Sequence, residues 1–254
     1  MAPTAALFDL QGRTALVTGG SRGIGQAIAA GLARFGADVV LVAEEPDMRE
    51  SVALVEAAGR SAERMVLDLS RTRDIPGAVE DLLARRQVDI LFNAAGIIRR
   101  QPAAEFSDEN WADVLDVNLT AAFLLSRQLA GPMLARGRGK IINVASMLSF
   151  QGGSLVTSYA ASKHGLVGLT KAQANEWAAS GVQVNAIAPG YIATRTTDAL
   201  RADPARNAGI LARIPAGRWG TPGDLVGAAV FLASAASDYV SGHVLAVDGG
   251  WLAR

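Results

Sequence analysis

The chain has 254 residues, with 24 Lys and Arg set against 24 Asp and Glu, 50% hydrophobic residues and no cysteine. Zero net charge argues against a nucleic-acid binder, whose electrostatic footprint needs a surplus of Lys and Arg. The missing cysteines exclude disulfides, thiolate metal sites and a cysteine nucleophile, and with only two distant histidines, His164 and His243, a histidine-rich metal site is not expected.

Residues 1–13 lack the cationic start and long apolar run of a signal peptide. The longest apolar stretch, around residues 225–233, falls well short of the roughly 20 residues that span a bilayer. The expectation is a soluble cytoplasmic protein with neither nucleic acid nor membrane as partner.

In chain order, short runs of apolar and β-branched residues fall at 14–18, 38–42, 64–68, 89–93, 140–146, 182–189 and 243–248. Near-continuous apolar strands mean burial on both faces, as in a parallel sheet covered by helices. The stretches between them are long enough for helical crossovers. This predicts an α/β fold: a single doubly wound (Rossmann) domain over 1–254, with a seven-stranded parallel sheet flanked by helices. Gly36 and Gly59 fall where helices should stop. Ser107 is placed to cap a long helix over about 108–136, with Asp108 and Glu109 at its positive end. A second long helix is expected over 158–179. Between Pro189 and Pro222 the β/α rhythm lapses into a polar segment, and residues 190–221 are expected to form a substrate lid.

The first strand runs directly into Thr18-Gly19-Gly20-Ser21-Arg22-Gly23-Ile24-Gly25, which opens a helix. Glycines there permit a tight turn and close backbone approach to a pyrophosphate, and the helix N-terminus offers N–H groups to the phosphates. Gly19, Ser21, Arg22, Gly23, Ile24 and Gly25 are therefore candidate nucleotide contacts. Farther along, Tyr159 and Lys163 stand one helical turn apart on one face, and Ser146 ends a strand thirteen residues upstream. A phenol holds its proton to a pKa of about 10. An adjacent ammonium favours the phenolate and moves that value toward the working pH. Tyr159 can then exchange a proton with an alcohol while Ser146 hydrogen-bonds the same oxygen.

The spacing Thr-Gly-x-x-x-Gly-x-Gly resembles the short-chain dehydrogenase/reductase family. So do Asn93-Ala94-Ala95-Gly96, Asp116-Val117-Asn118, the Ser146, Tyr159 and Lys163 set, and Pro189-Gly190 followed by Ile192 and Thr194. The resemblance covers essentially the whole chain and departs from the commoner family spelling at Ala94. It implies a catalytic tetrad of Asn118, Ser146, Tyr159 and Lys163, with Asn118 helping to hold a water that links Lys163 to solvent. It also implies that Asp68, with Leu69 beside it, contacts adenine and that Asn93, Ala94, Ala95 and Gly96 line the adenosine side. Pro189, Gly190, Ile192 and Thr194, together with Tyr159 and Lys163, would face the nicotinamide half. The family's usual homotetramer would form through residues 108–136, 158–179 and the C-terminal region, where Trp251 and Leu252 suggest burial against another subunit.

An acidic residue about 20 positions past the glycines can bond the ribose hydroxyls of NAD and repel the 2′-phosphate of NADP. Glu44 holds that place, with Glu45 beside it, one residue later than the family's usual Asp. NAD is expected over NADP, with Arg22 as the residue that could pair with a 2′-phosphate. The segments at 96–100, 145–153, 174–178, 185–194, 213–220 and 246–254 resemble the family's dehydrogenases of deoxy sugar acids. A sugar acid brings a carboxylate that an arginine can hold. Arg99 and Arg100 follow the cofactor loop, and Arg195, Arg201 and Arg206 sit in the lid. Gln151 is a candidate donor to a sugar hydroxyl, so the expected substrate contacts are Arg99, Ser146, Gln151 and Tyr159. Tryptophans 177, 219 and 251 are expected to pack a core or an interface. Two other readings are an NADPH-dependent reductase of 3-oxoacyl thioesters and a nucleotide-sensing or scaffold protein without chemistry.

Overall fold

Parallel pairing is imposed by strands whose side chains are buried on both faces, and β1 (Thr14–Thr18) shows how. Leu16 faces one helical layer while Ala15 and Val17 face the other, all three fully buried. The computed structural model describes residues 4–254; the first three residues of the unit expected over 1–254 lie outside the described residues. Seven parallel strands follow the order β3-β2-β1-β4-β5-β6-β7. The others are β2 (Asp38–Ala43), β3 (Ala62–Val66), β4 (Ile90–Asn93), β5 (Gly139–Val144), β6 (Val182–Pro189) and β7 (Val244–Val247). The order reverses between β1 and β4, which opens a crevice at their carboxyl ends.

One layer is built from α1 (Gly23–Arg34), α2 (Arg49–Glu56) and α9 (Val226–Ala233), packed through Ile28, Leu32, Val55, Ala229 and Val230. The opposite layer carries α3 (Ile75–Leu83), α5 (Ala121–Ala135) and α6 (Thr157–Trp177), packed through Val79, Leu82, Leu125, Leu129 and Ala174. Gly36 and Gly59 close the turns after α1 and α2. At the amino-terminal edge of the sheet the buried Asp89 accepts from Thr14 N at 3.0 Å and Gln87 Nε2 at 2.6 Å. Its carboxylate also lies 3.5 Å from Arg136 and 3.6 Å from Arg138.

Beyond shifts of one or two residues at β2, β4, β7 and α6, three boundaries differ from expectation in ways that bear on the site. β3 spans 62–66 rather than 64–68, because it is an edge strand paired only to β2, with Arg64 and Val66 exposed. Leu67 still bonds Ala43 O at 2.9 Å, and Asp68 has left the ladder. β5 ends at Val144, which releases Ser146 from the sheet. The helix expected over 108–136 begins as α4 (Asp108–Leu115), where Ser107 Oγ accepts from Asn110 N at 3.2 Å. A π-helical stretch at Asp116–Thr120 then interrupts it before α5.

The excursion over 190–221 holds two short helices, α7 (Asp198–Ala202) and α8 (Pro204–Leu211). Its two ends are closed by Ala193 N donating to Gly220 O at 2.8 Å and Gly220 N donating to Tyr191 O at 2.9 Å. Its floor is a separate apolar cluster of Met147, Ile210, Ile214 and Trp251, with Tyr191, Trp219 and Leu252 packed against it. Of the two places expected for it, core or interface, Trp251 is thus buried in a core of its own chain. Trp177 packs against the second layer. Among the described residues no helix is long and apolar enough to cross a membrane.

Candidate active site

The carboxyl ends of β1, β4, β5 and β6 deliver the expected site residues to one crevice. Thr18 ends β1, and its Oγ1 accepts from Ala94 N at 2.9 Å and Ala95 N at 3.0 Å while donating to Phe92 O. This ties the glycine loop to the loop after β4. Gly19 adopts a φ of +64°, and a Cβ there would come within 3.0 Å of Ala95 Cα; a Cβ on Gly25 would run into the carbonyl oxygen of Gly19. Neither position tolerates a side chain, so backbone lies at the floor of the cradle. Arg22 is the extended N-cap of α1, and no side chain caps the helix. Its first N–H groups, at Gly23, Ile24 and Gly25, are left to a ligand. Ser21 is held from behind by Gln26 and Ser51, which both donate to its carbonyl. Thr194 overhangs the loop, its methyl 3.8 Å from where a Gly23 Cβ would stand. Open backbone donors, glycines with no room beneath and space above fit a dinucleotide pyrophosphate.

At the end of β2, Glu44 is exposed and Glu45 forms an ion pair with Arg22. Burial opposes ionisation of Glu45, but its own backbone hydrogen bond, Ser21, and the charges of Arg22 and Arg195 prevail and hold its carboxyl below its usual range. Asp68 is held low chiefly by Ser70, whose hydroxyl and N–H donate to Oδ1 at 2.7 and 2.9 Å. Leu69 beside it is buried.

The side chain of Asn93 is engaged in the core. Its buried Nδ2 donates to Asn143 Oδ1 at 2.8 Å and Ser126 Oγ at 3.3 Å, and Asn143 in turn donates to Thr170 Oγ1 at 2.9 Å. The strand pleat aims this side chain into the core, where it joins β4, β5 and α6, while its backbone continues into the stretch of Ala94, Ala95 and Gly96 at the strand's carboxyl end. Nothing in the expected motifs marked Asn143, whose signal was a lone amide inside the buried run 139–144, and although Thr18 heads the glycine motif, its hydroxyl had no assigned part in organising both loops.

Gly96 sits where a Cβ would lie 3.3 Å from Asn118 Oδ1 and 3.6 Å from Lys163 Nζ. The buried Asn118 accepts from Ile97 N at 2.8 Å and donates to Ile97 O at 3.0 Å and Ser162 Oγ at 3.1 Å. Both amide hydrogens are thus used, and one lone pair of Oδ1 remains free for a water that donates. The π-helical stretch brings Asn118 to this position.

Ser146 follows β5 and accepts from Leu148 N at 3.1 Å, and its hydroxyl lies on the side of the Tyr159 phenol, where it favours the phenolate. Lys163 is 3% exposed. Its Nζ donates to Val144 O at 2.7 Å and stands 5.7 Å from the Tyr159 ring centroid. α6 is held in register by Ser162 Oγ donating to Tyr159 O and Ser149 Oγ donating to Lys163 O, each at 2.8 Å. Burial lowers the ammonium of Lys163 to about 8. Burial raises the phenol of Tyr159, and Ser146 and Arg100 pull it only partly back. In the chain by itself, desolvation outweighs the charges around Tyr159; the expected lowering of the phenol draws on the cationic nicotinamide ring of an oxidised cofactor as well as on Lys163.

On the nicotinamide side, Gly190 follows Pro189 and packs so tightly that a Cβ would meet Asp248 Cα at 2.6 Å. Ile192 is buried in the bridge to Gly220, and Thr194 begins a turn closed by Thr197. The loop over 97–101 is pinned at Ile97 by Asn118 and at Gln101, whose N–H donates to Leu155 O at 3.0 Å. Between these pins Arg99 turns to Asp113 on α4, at 3.3 Å. Arg100 makes no ion pair among the described residues, and its charge acts on the phenol of Tyr159. Gln151 Oε1 accepts from Trp251 Nε1 at 3.0 Å.

Comparison with known proteins agrees with this geometry. A family described as enoyl-(acyl carrier protein) reductase matches residues 19–252. The 2-dehydro-3-deoxy-D-gluconate 5-dehydrogenase of Bacillus subtilis is 57% identical over 247 residues, covering 97% of each chain. A crystal structure from Beutenbergia cavernae, described as an NAD(P)-dependent gluconate 5-dehydrogenase with NADP at low occupancy, is 56% identical with a TM-score of 0.95. It covers 98% of this chain and 100% of its own. A second, from Agrobacterium tumefaciens, described as a 2-deoxy-D-gluconate 3-dehydrogenase with bound NADP, is 55% identical with a TM-score of 0.93, covering 98% and 99%. Identity at this level over whole chains reflects common descent as well as common architecture, and the chain belongs to the short-chain dehydrogenase/reductase family.

Proposed function

We propose that the protein is a nicotinamide-dependent dehydrogenase of a deoxy-keto sugar acid, 2-dehydro-3-deoxy-D-gluconate or 2-deoxy-D-gluconate, working as a cytoplasmic homotetramer. The observation that carries the reaction class is the convergence of Ser146, Tyr159, Lys163 and Asn118 beside a glycine cradle. The sugar-acid class rests on the near full-length identity to the B. subtilis enzyme. When bound, the nicotinamide ring supplies a hydride acceptor or donor. Tyr159 takes the proton from the substrate alcohol, or returns it to the ketone in reduction, and Ser146 bonds the same oxygen. Lys163 passes the proton on through the water that Asn118 Oδ1 helps to hold. Gly19 to Gly25 would hold the phosphates, Asp68 and Leu69 the adenine, and Ile192 and Thr194 the nicotinamide amide. Residues 190–221 close over the substrate as its lid. The substrate carboxylate is assigned to Arg100, since Arg99 is drawn to Asp113. The tetramer reading is supported by Trp111 and Phe123, each 39% exposed on α4 and α5.

NAD is proposed over NADP. Glu44 and Glu45 put two carboxylates at the adenosine ribose, and a 2′-phosphate would have to break Arg22 away from Glu45. Relatives that hold NADP make the cofactor comparison the informative one. It is read as kcat/KM with NAD and NADP across a panel of sugar acids; a preference for NADP overturns the assignment. Tyr159→Phe is expected to bind the dinucleotide normally and lose about 100-fold or more in kcat. Full activity in that variant refutes the mechanism. The likeness to a structure described as a 3-oxoacyl (acyl-carrier-protein) reductase, 33% identical, favours a second reading, NADPH-dependent reduction of a 3-oxoacyl thioester. Turnover of an acetoacetyl thioester, with none of sugar acids, would establish it.

A further inference from the structure

We propose that Trp251 fixes the amide of Gln151 so that this residue meets the substrate carboxylate as a hydrogen-bond donor. The inference rests on the sugar-acid reading and adds a specificity residue, together with a positioning residue behind it. Gln151 closes the turn that follows Ser146, its N–H donating to Met147 O at 3.2 Å. Its side chain therefore lies between the Ser146 turn and the lid floor. A glutamine amide is acceptor at one end and donor at the other, and the two ends are nearly identical in shape. An indole N–H is donor only, so the contact of Trp251 Nε1 with Oε1 at 3.0 Å admits one of the two orientations. The NH2 group is left facing away from Trp251, and among the described residues nothing accepts from it.

Trp251 is itself held from several sides. It is 5% exposed. The Tyr191 ring stands edge-on at 4.8 Å, and the Arg213 guanidinium lies 3.9 Å over the indole. The C-terminal turn that carries it is secured by Asp248, which accepts from Gly250 N and Leu252 N at 2.9 Å each. Arg254 donates to Ala212 O at 2.8 Å, tying the last residue to the base of the lid. A hydroxyl could bond either face of an amide and needs no such arrangement. A fixed donor favours groups that can only accept, and of those the substrate offers, the carboxylate gains most because its charge strengthens the bond.

The test compares the sugar acid with its neutral analogue in which a hydroxymethyl replaces the carboxylate. Trp251→Phe keeps the ring and removes the N–H. It is expected to raise KM for the acid about fivefold, with kcat, the dinucleotide KM and the neutral analogue's KM unchanged. Gln151→Glu keeps the acceptor for the indole and turns a negative oxygen on the substrate. It should raise the acid's KM on the order of thirtyfold while sparing the neutral analogue. In a Gln151→Leu background, Trp251→Phe should add nothing. Equal losses for acid and analogue, additive losses in the double variant, or an unchanged acid KM in Trp251→Phe each overturn the inference. Failure of the wild-type chain to turn over any sugar acid removes the underlying reading as well, which separates the two failures.

Discussion

Lys163 is where the chemistry of the site should be visible without substrate or cofactor. Its ammonium is lowered from 10.5 to about 8 by burial, while in the unfolded chain it titrates near its ordinary value. A base whose folded pKa is depressed works against the fold while it is charged, and that penalty lifts as pH rises. Below pH 8 both states are protonated and the fold bears the full cost of the buried charge. Between about 8 and 10.5 the unfolded chain holds the extra proton, so stability attributable to this group climbs with pH. The gap corresponds to about 3 kcal/mol. Lys163→Met removes the titration while keeping most of the apolar stem. Urea unfolding of both proteins at equal concentration, from pH 7 to pH 10.5, gives the difference in stability, in which the other ionising groups cancel. Wild type should gain on the variant by about 3 kcal/mol across that window. A flat difference, or one moving the other way, refutes the claim that burial governs Lys163.

Three further outcomes follow from contacts already described. Glu45→Ala frees Arg22 and should move the ratio of kcat/KM for NADP over NAD upward by about tenfold, the scale of one partly screened charge; an unchanged ratio removes Glu45 from cofactor choice. Asn93→Ala strands the amide of Asn143 in the core and should cost about 1–3 kcal/mol in unfolding free energy. The KM for dinucleotide should stay within about twofold, and a large rise would place the Asn93 side chain at the cofactor site. Asp89→Ala leaves Thr14 N without its acceptor and Arg136 without a carboxylate, and should cost about 1–3 kcal/mol, with kcat at low temperature unaltered because the edit lies at the far end of the sheet.

What the chain announces in its sequence, and what it withholds, divide along physical lines. β1 and β6 are legible to the residue because both faces are buried and the apolar run stops where burial stops. β3 is not, because an edge strand is half exposed and Leu67 and Leu69 stay apolar after the ladder has ended. The glycine loop and the Ser146, Tyr159 and Lys163 set are legible since spacing on a strand end and along a helix determines who can meet. The direction of the Asn93 side chain is not legible, because motif spelling carries no information on which side of a pleat a side chain emerges. The pairing of Arg22 with Glu45, the packing of Trp251 on its own lid floor and the rise in the Tyr159 phenol depend on contacts distant in the chain, which no local pattern records.

The π-helical stretch at Asp116–Thr120 has a consequence for how the protein can change. Such a bulge amounts to one residue more than a regular helix would contain. Deleting a single residue within 116–120 would let α4 and α5 merge into an ordinary α-helix with better hydrogen bonding and both flanks still in phase, since the wide turn absorbs the extra residue, but the outward displacement of the bulge would be lost. Asn118 would then swing off Ile97, releasing the loop that carries Arg99 and Arg100. The deletion would tidy the secondary structure and unmoor the substrate loop together. Length is thus under constraint in the middle of a helix, where substitutions are ordinarily the only changes that matter, and this stretch tolerates a changed letter more readily than a lost one.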